Sequence, residues 1–287
     1  MPQPALHVAL ANGVWLRWLN VPHSAPFPLG EATMNAFRHG SLGPDMGLFP
    51  GADREISEFA HTLGTGRLTR ALLDRARNAV EAAFAWGWVS HVLADVHIHP
   101  LVNDAADRLP AGSPGGRCRD VGHVMIESGL DAWFLRRAGK LADTPLRHAF
   151  GLGGARFIAD AFDDLYDFEI DERRMLGFHR SVTRWYSPYL LLAGRIADHH
   201  TRDPGDRRGV LGGATALVRR LVGPATSASG FLESVPPTAD LIERTKLGIA
   251  RHDEDMLRYA ATGLDDLEDW NLETGERIEW HRVPAVA

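Results

Sequence analysis

Helical periodicity dominates the hydrophobic pattern of this chain. From residue 67 to about residue 98, apolar positions recur at steps of three and four, with charged residues between them. This spacing predicts an amphipathic helix that becomes apolar on all sides near Phe84, so its second half should be buried. Pro100 has no backbone N–H with which to continue the helix, and we therefore expect the helix to stop near His99.

The same helical period recurs in five further segments. They are residues 120–137, 155–168, 172–200, 207–222 and 238–261. No run alternates apolar and polar residues between turn signals as a strand does. The segments 21–51, 103–116 and 223–237 are rich in proline, glycine or small residues and are predicted to be loops. The sequence therefore predicts an all-α, multi-helix bundle that forms a single domain over residues 1–287, with a weak boundary near residues 203–209.

Composition narrows the class of protein further. The chain has 287 residues, 31 Lys+Arg against 37 Asp+Glu and a net charge of -6, with 45% hydrophobic residues. These values are ordinary for a globular protein, and the mildly acidic balance argues against a duplex-DNA partner. The single cysteine, Cys118, excludes an intrachain disulfide. No secretory signal or spanning apolar run is found, so we expect a cytoplasmic protein without integral membrane association.

Histidine is the residue type that points to chemistry, because the chain has 14 of them. His91, Asp95 and His99 are spaced four residues apart, which places their side chains on one face of a helix. His123 and Glu127 repeat this spacing at the start of another predicted helix. Such pairs on two helices can hold several metal ions in the core of a bundle. Nitrogen and oxygen ligands without a thiolate suit zinc first and leave manganese or iron open.

Other interpretations of these residues stay open. A histidine on an apolar face is more often a hydrogen-bonded core residue than a ligand. A buried Asp95 needs a positive partner, which an arginine can supply as well as a metal ion. His97 is out of register with His91, and the pair His252–Asp253 resembles that of a His-Asp phosphohydrolase. A helical interaction module with packed histidines is the alternative that is not an enzyme.

At these residues the sequence resembles the zinc-dependent phospholipase C family, which is related in fold to single-strand-specific fungal nucleases. The run FAWGWVSHVLADVHIHPLVN at 84–103 is similar to the central helix of that family. The run GSLGPDMGLFPG at 40–51 resembles its glycine–proline–aspartate turn, and His61 follows where a further ligand is expected. The resemblance covers about residues 6–127 well. It implies a zinc-dependent phosphoric ester hydrolase, a phospholipase C-like phosphodiesterase.

The resemblance implies eight metal ligands, all in the first half of the chain. They are His7, Asp45, His61, His91, Asp95, His99, His123 and Glu127. It also implies that these ligands hold two or three zinc ions. Asp45 is further implied to position or deprotonate the water that attacks the substrate, which makes it the expected catalytic residue.

The resemblance also groups these ligands. Asp45, His61 and His91 are implied to hold one zinc ion, and Asp95 is implied to bridge it to a neighbour. His99, His123 and Glu127 are implied to hold a second ion. His7 resembles an early histidine that, together with the N-terminal amine, completes a third site.

The expected substrate is a small phosphoester or a phospholipid head group. Arg117 and Arg119 lie shortly before His123, where their guanidinium groups could bind phosphate oxygens. A single-strand nuclease or nucleotidase, or a metal-binding helical protein without hydrolytic activity, is the alternative. A lipid-binding rim would need exposed aromatic residues, but helical spacing favours core packing for four tryptophans: Trp15, Trp18, Trp86 and Trp88.

Overall fold

A computed structural model describes residues 4–138, 145–201 and 234–279, which form ten α-helices and one small hairpin. The helices are α1 (Pro4–Asn20), α2 (Glu31–Gly40), α3 (Arg54–Thr62), α4 (Thr65–Arg75), α5 (Ala79–Asp107), α6 (Pro114–Arg117), α7 (Arg119–Ala138), α8 (Leu152–Tyr166), α9 (Glu172–Thr201) and α10 (Ala239–Thr262). Strands β1 (Trp270–Asn271) and β2 (Glu276–Arg277) pair antiparallel. The all-α prediction is confirmed. The predicted helix at 207–222, the boundary at 203–209 and the loop at 223–237, except for its last four residues, lie outside the described residues.

The long helix α5 lies at the centre and contacts α1, α2, α4, α7 and α10. Two glycines bring its backbone against that of α2. A Cβ atom on Gly40 would lie 1.9 Å from the Phe84 carbonyl oxygen, and one on Gly87 would lie 2.0 Å from the Phe37 carbonyl oxygen. Neither position therefore has room for a side chain, and the two helices pack at backbone distance. This contact places the end of α2 beside the part of α5 that carries His91.

The four tryptophans expected in the core are all buried, which confirms that prediction. None of the described helices is long and apolar enough to span a bilayer.

The prediction of one continuous helix from residue 67 is wrong at two places. The helix is interrupted after α4, because the Asn78 side chain accepts hydrogen bonds from the N–H groups of Val80 and Glu81 and caps a new helix. The helix also does not stop near His99 but continues through Pro100 to the end of α5. Proline removes a single intrahelical hydrogen bond, and burial of α5 among its neighbours holds the remaining turns in place.

Two predicted loops contain regular structure. The segment 21–51 includes α2, and the segment 103–116 includes the last turn of α5 and the start of α6. In α2, Ala36 and Phe37 are fully buried, so packing against α5 overrides the weak helical signal of a segment rich in proline and glycine. The hairpin of β1 and β2 was not predicted, since strands of two residues are too short to show alternation.

Two buried histidines outside the expected ligand set join α2 to α9. The ring centroids of His39 and His179 are 4.2 Å apart. His39 Nε2 lies 2.7 Å from the Arg147 carbonyl oxygen, and His179 Nε2 accepts a hydrogen bond from the Ala149 N–H at 3.3 Å. Burial lowers the pKa of both rings, to about 4 for His39. The nearby groups His148 and Arg180 also disfavour the protonation of His179.

We expect this pair to make the folded protein less stable as the pH falls from about 6.5 to 4. The unfolded chain binds a proton at His39 near the ordinary pKa of 6.5, whereas the folded chain does so only near pH 4. Stability is therefore complete above pH 6.5 and is lost below it, because the unfolded state binds more protons in this range. For His39 the difference corresponds to about 3 kcal/mol.

Urea denaturation of the wild type and of His39→Gln between pH 7 and pH 4.5 measures this effect. The variant should lose less stability on acidification than the wild type does, since the metal-ligand groups titrate alike in both proteins. Parallel curves for the two proteins would contradict the assignment.

Candidate metal centre

The eight predicted ligands lie together where α1, α3, α5 and α7 meet the segment that carries Asp45. Every one of them is buried except His123, which is half-buried. Their side-chain atoms form three groups, within each of which the atoms that could bind metal lie within 4.8 Å of one another. The groups are His7, His91 and Asp95; Asp45, His61 and His91; and His99, His123 and Glu127.

Asp95 lies at the centre of this arrangement, with its side chain in contact with four imidazoles. Its Oδ1 atom is 3.3 Å from His7 Nε2 and 3.6 Å from His99 Nε2. Its Oδ2 atom is 3.0 Å from His91 Nε2 and 3.7 Å from His61 Nε2. Burial alone would raise the pKa of Asp95, but the surrounding imidazoles hold it well below its usual range. One carboxylate thus connects ligands from α1, α3 and α5.

A second carboxylate, Glu127, joins the histidines at the other end of the cluster. Its Oε1 atom is 3.1 Å from Nε2 of both His99 and His123. Burial lowers the pKa of His99, but Asp95 and Glu127 outweigh burial and raise it to about 10. The pKa of Glu127 is lowered although its burial acts in the opposite direction, because two imidazoles face it. The carboxylates therefore favour positive charge, from protons or metal ions, at the positions that face them.

Backbone carbonyl groups orient the rings of His61 and His91. His61 Nδ1 lies 2.7 Å from the Ser57 carbonyl oxygen, and His91 Nδ1 lies 2.9 Å from the Ser41 carbonyl oxygen. A carbonyl can only accept, so each Nδ1 carries a proton, and in the neutral ring Nε2 presents a lone pair to the cluster. This is the arrangement that protein groups behind metal-binding histidines usually impose.

Leu272, which directly follows β1, orients the ring of His99 and also forms a hydrogen bond with α3. His99 Nδ1 lies 2.6 Å from the Leu272 carbonyl oxygen. The Leu272 N–H donates to the His61 carbonyl oxygen at 2.7 Å. A single residue near the end of the chain therefore holds α3 and α5 together beside the cluster.

The Asn103 side chain orients the ring of His123. Its Oδ1 atom is 2.9 Å from His123 Nδ1, and its Nδ2 donates to the Glu273 carbonyl oxygen at 2.6 Å. Glu273 lies between β1 and β2, so the hairpin positions the Asn103 side chain, which in turn orients His123. Asn103 ends the run that resembles the family's central helix, but no role was predicted for it, and Leu272 belongs to no motif identified in the sequence.

We expect Asn103→Leu to weaken zinc binding by about 10- to 100-fold, the usual cost of losing a partner behind a metal ligand. Asn103→Asp keeps an acceptor for His123 Nδ1 and should retain most of the affinity. Competition with a chromogenic zinc chelator measures both variants against the wild type. Equal affinity in all three proteins would show that Asn103 does not orient the ligand.

The buried polar atoms test whether these residues fit a metal cluster. In the described part of the chain, nine buried side-chain nitrogen or oxygen atoms have no hydrogen-bond partner. Six belong to the predicted ligands: His7 Nδ1, Asp45 Oδ1, Asp45 Oδ2, His91 Nε2, Asp95 Oδ2 and Glu127 Oε1. In the neutral rings, nitrogen lone pairs face carboxylate oxygens, and two acceptors at about 3 Å repel each other unless a proton or a metal ion lies between them. The residues therefore fit bound metal ions.

Asp131 is a further buried carboxylate, and sequence analysis did not single it out. It accepts hydrogen bonds from the N–H groups of Leu6 at 2.7 Å and Ala5 at 3.3 Å, and from the Tyr189 hydroxyl at 2.6 Å. Burial raises the pKa of Asp131 to about 7. A carboxylate at the first turn of a helix satisfies its unpaired N–H groups. Asp131 thereby anchors α1 and places His7, the next residue, towards Asp95.

The two arginines predicted to bind phosphate have other partners. Arg117 donates to the Gly112 carbonyl oxygen at 2.9 Å, and Arg119 lies 3.4 Å from Asp107. Both side chains are exposed. Within the described ranges, no hydrogen bond or ion pair connects either guanidinium group to a predicted ligand, and their role in binding phosphate stays a prediction.

The remaining candidate histidines join α5 to α10. His97 Nε2 is 2.8 Å from Asp255, and His252 lies 3.0 Å from the Ser90 hydroxyl and 3.1 Å from Asp253. His252 is fully buried, so the pair that resembles a phosphohydrolase motif serves as a contact between helices. None of these residues belongs to the three groups of possible ligands.

The fold and the site define a helical protein whose core brings together histidine and carboxylate side chains that could bind metal. A family model described as zinc dependent phospholipase C matches residues 6–195. The chain belongs to the zinc-dependent phospholipase C family. The matched range contains all eight predicted ligands and ends within α9, so α10 and the hairpin lie beyond it. Neither the curated proteins nor the solved structures include a match to this chain.

Proposed function

We propose that this protein is a phosphodiesterase of the phospholipase C type that works with two or three zinc ions. The observation that carries the proposal is the Asp95 carboxylate, which contacts imidazoles from three helices at the centre of the buried cluster. Such a carboxylate suits a bridge between neighbouring metal ions. The family membership supports zinc and the hydrolysis of a phosphoric ester.

The three groups of atoms suggest how the ligands are shared. Asp45 and His61 would hold one ion together with His91. The pair His99 and His123, with Glu127, would hold another. His7, with His91 and Asp95, forms the third group and would contribute to a third ion. Bound zinc would lower the pKa of a water molecule and neutralise charge on the phosphoryl oxygens during an in-line displacement.

Asp45 is proposed as the residue that accepts the proton of the attacking water. Its Oδ1 atom is 3.2 Å from His61 Nε2, and its Oδ2 atom is 3.8 Å from His91 Nδ1. Neither oxygen has a hydrogen-bond partner among the described residues. One oxygen can therefore serve as a ligand while the other stays available for a proton.

The proposed substrate is a small phosphodiester or a phospholipid head group. The net charge of -6 disfavours a long polyanion in the site, which makes single-strand nuclease activity the second candidate. A cytoplasmic location remains a prediction from the sequence.

Elemental analysis combined with hydrolysis assays tests the proposal. We expect two or three zinc ions per chain, and turnover of a chromogenic phosphocholine ester that stops when zinc is removed. Asp45→Asn should abolish turnover. Tightly bound zinc without turnover on any phosphoester would instead support a protein that binds metal without hydrolysis.

A further inference from the structure

The exposed face of α9 carries arginines that have no neutralising partner. Arg173, Arg180, Arg184 and Arg195 are all exposed, and their spacing places them along one side of the helix. In the part of the chain that the structure describes, none of the four guanidinium groups forms a hydrogen bond or an ion pair. The sequence of α9 contains no acidic residue between Glu172 and Asp198. The four arginines therefore form a row of positive charges, a stripe about 33 Å long.

Arginines elsewhere in the molecule are often paired with carboxylates. Arg17 lies 2.7 Å from Asp253, and Arg77 lies 2.9 Å from Glu81. The whole chain carries a net charge of -6, so the stripe on α9 has the opposite sign to the average surface. A row of like charges raises the electrostatic free energy of the folded protein, and an external anionic partner would remove this cost.

The same face also offers apolar surface. Leu191, between Arg184 and Arg195, is 70% exposed, the largest exposed fraction among the large hydrophobic side chains of the described residues. The Arg184 guanidinium lies over the Trp185 ring at 5.5 Å, which gives the stripe an aromatic border. Arginines can bind anionic head groups while a neighbouring exposed leucine and a tryptophan contact the boundary of the apolar layer.

The middle of the stripe lies beside the segment that follows Asp45. A groove of about 400 Å³ is lined there by Arg180, Arg184, Trp185 and the residues Pro50 and Gly51. The Ser181 hydroxyl donates to the Pro50 carbonyl oxygen at 2.7 Å, which joins the two elements. A surface bound along α9 would therefore also contact the segment that leads to the candidate metal centre.

We propose that this face of α9 docks the protein on an anionic phospholipid surface. Guanidinium groups bind lipid phosphates through paired hydrogen bonds, and Leu191 enters the apolar layer beneath them. The exposed leucine favours a lipid over a nucleic acid, because a nucleic-acid backbone offers no apolar layer to receive it. The docking itself is independent of catalysis, but its use in presenting phospholipid to the metal centre rests on the proposed function.

Sedimentation with lipid vesicles tests this docking in the full-length, zinc-loaded protein. We expect at least about tenfold tighter binding to phosphatidylcholine vesicles that contain phosphatidylserine than to pure phosphatidylcholine, and weaker binding at higher salt. Arg180→Gln/Arg184→Gln should reduce binding to the anionic vesicles about tenfold or more. The matched control, Arg54→Gln/Arg147→Gln, removes the same charge from other surfaces and should bind like the wild type.

Two further measurements separate this inference from its alternatives. Leu191→Ser should weaken vesicle binding, whereas preferred binding to single-stranded DNA that is unaffected by Leu191→Ser would overturn the lipid assignment. Equal binding to both vesicle types, or an α9 variant that binds like the wild type, would also overturn it. Hydrolysis of a soluble chromogenic ester should be unchanged in Arg180→Gln/Arg184→Gln. Vesicle binding by a protein without any turnover would keep the docking and reject only the proposed function.

Discussion

Replacing Asp95 by asparagine is expected to remove bound metal and hydrolytic activity together. The carboxylate contacts imidazoles from α1, α3 and α5. An amide would leave the group of His7 and His91 without an anionic ligand and would remove the proposed bridge to the neighbouring groups. Removing a residue that only orients a metal ligand can already weaken metal affinity by about 100-fold. Replacing the central ligand itself should therefore weaken it more. Elemental analysis of purified Asp95→Asn should show at least one zinc ion fewer per chain than the wild type.

Asp104→Asn provides the matched control for this experiment. Asp104 also lies on α5, but its side chain is partly exposed and pairs with Arg108 and Arg244 at the surface. This variant should keep the zinc content and the turnover of the wild type. Full zinc loading in Asp95→Asn would rule out a bridging role for Asp95.

Removal of metal by a chelator is expected to destabilise the protein strongly. Without cations, the buried carboxylates Asp45, Asp95 and Glu127 face nitrogen lone pairs or must bind protons to balance their charge. Metal binding to such a site contributes directly to the free energy of folding. The apparent Tm should therefore fall by on the order of 10 °C or more.

Thermal unfolding with and without chelator, followed by the return of zinc, measures this effect. Zinc should restore the original Tm, whereas magnesium should not, because magnesium disfavours imidazole ligands. A Tm that does not respond to chelator, in a protein that contains no metal after purification, would support the interpretation in which the histidines merely pack.

The predicted ligands that share one helix are the part of the site that the local sequence pattern predicts best. A spacing of four residues identifies one face of a helix, and His91, Asp95 and His99 do share a face of α5. The grouping of Asp45 and His61 with this helix came from the family resemblance, because nothing local connects such distant segments. The structure brings these residues together, while their role as ligands stays a proposal.

The groups that orient the ligands could not be predicted in this way. Leu272 and Ser41 act through backbone carbonyls, which every residue possesses, so their side chains carry no signal. Asp131 contacts N–H groups more than a hundred residues away, and such a contact depends on how α1 and α7 pack. The extent of α5 beyond Pro100 was missed for the same reason, because burial outweighs the local preference of proline.

Leu272 follows the last predicted ligand, Glu127, by more than a hundred residues, which has a consequence for synthesis on the ribosome. The residues that would bind zinc emerge early, since all eight precede α8, but two of their histidines are held through Leu272. A nascent chain can form its early helices and bring the ligands together, yet His99 and His61 lack these restraints until Leu272 has left the exit tunnel. Stable loading with zinc should therefore follow the emergence of Leu272 rather than that of the ligands.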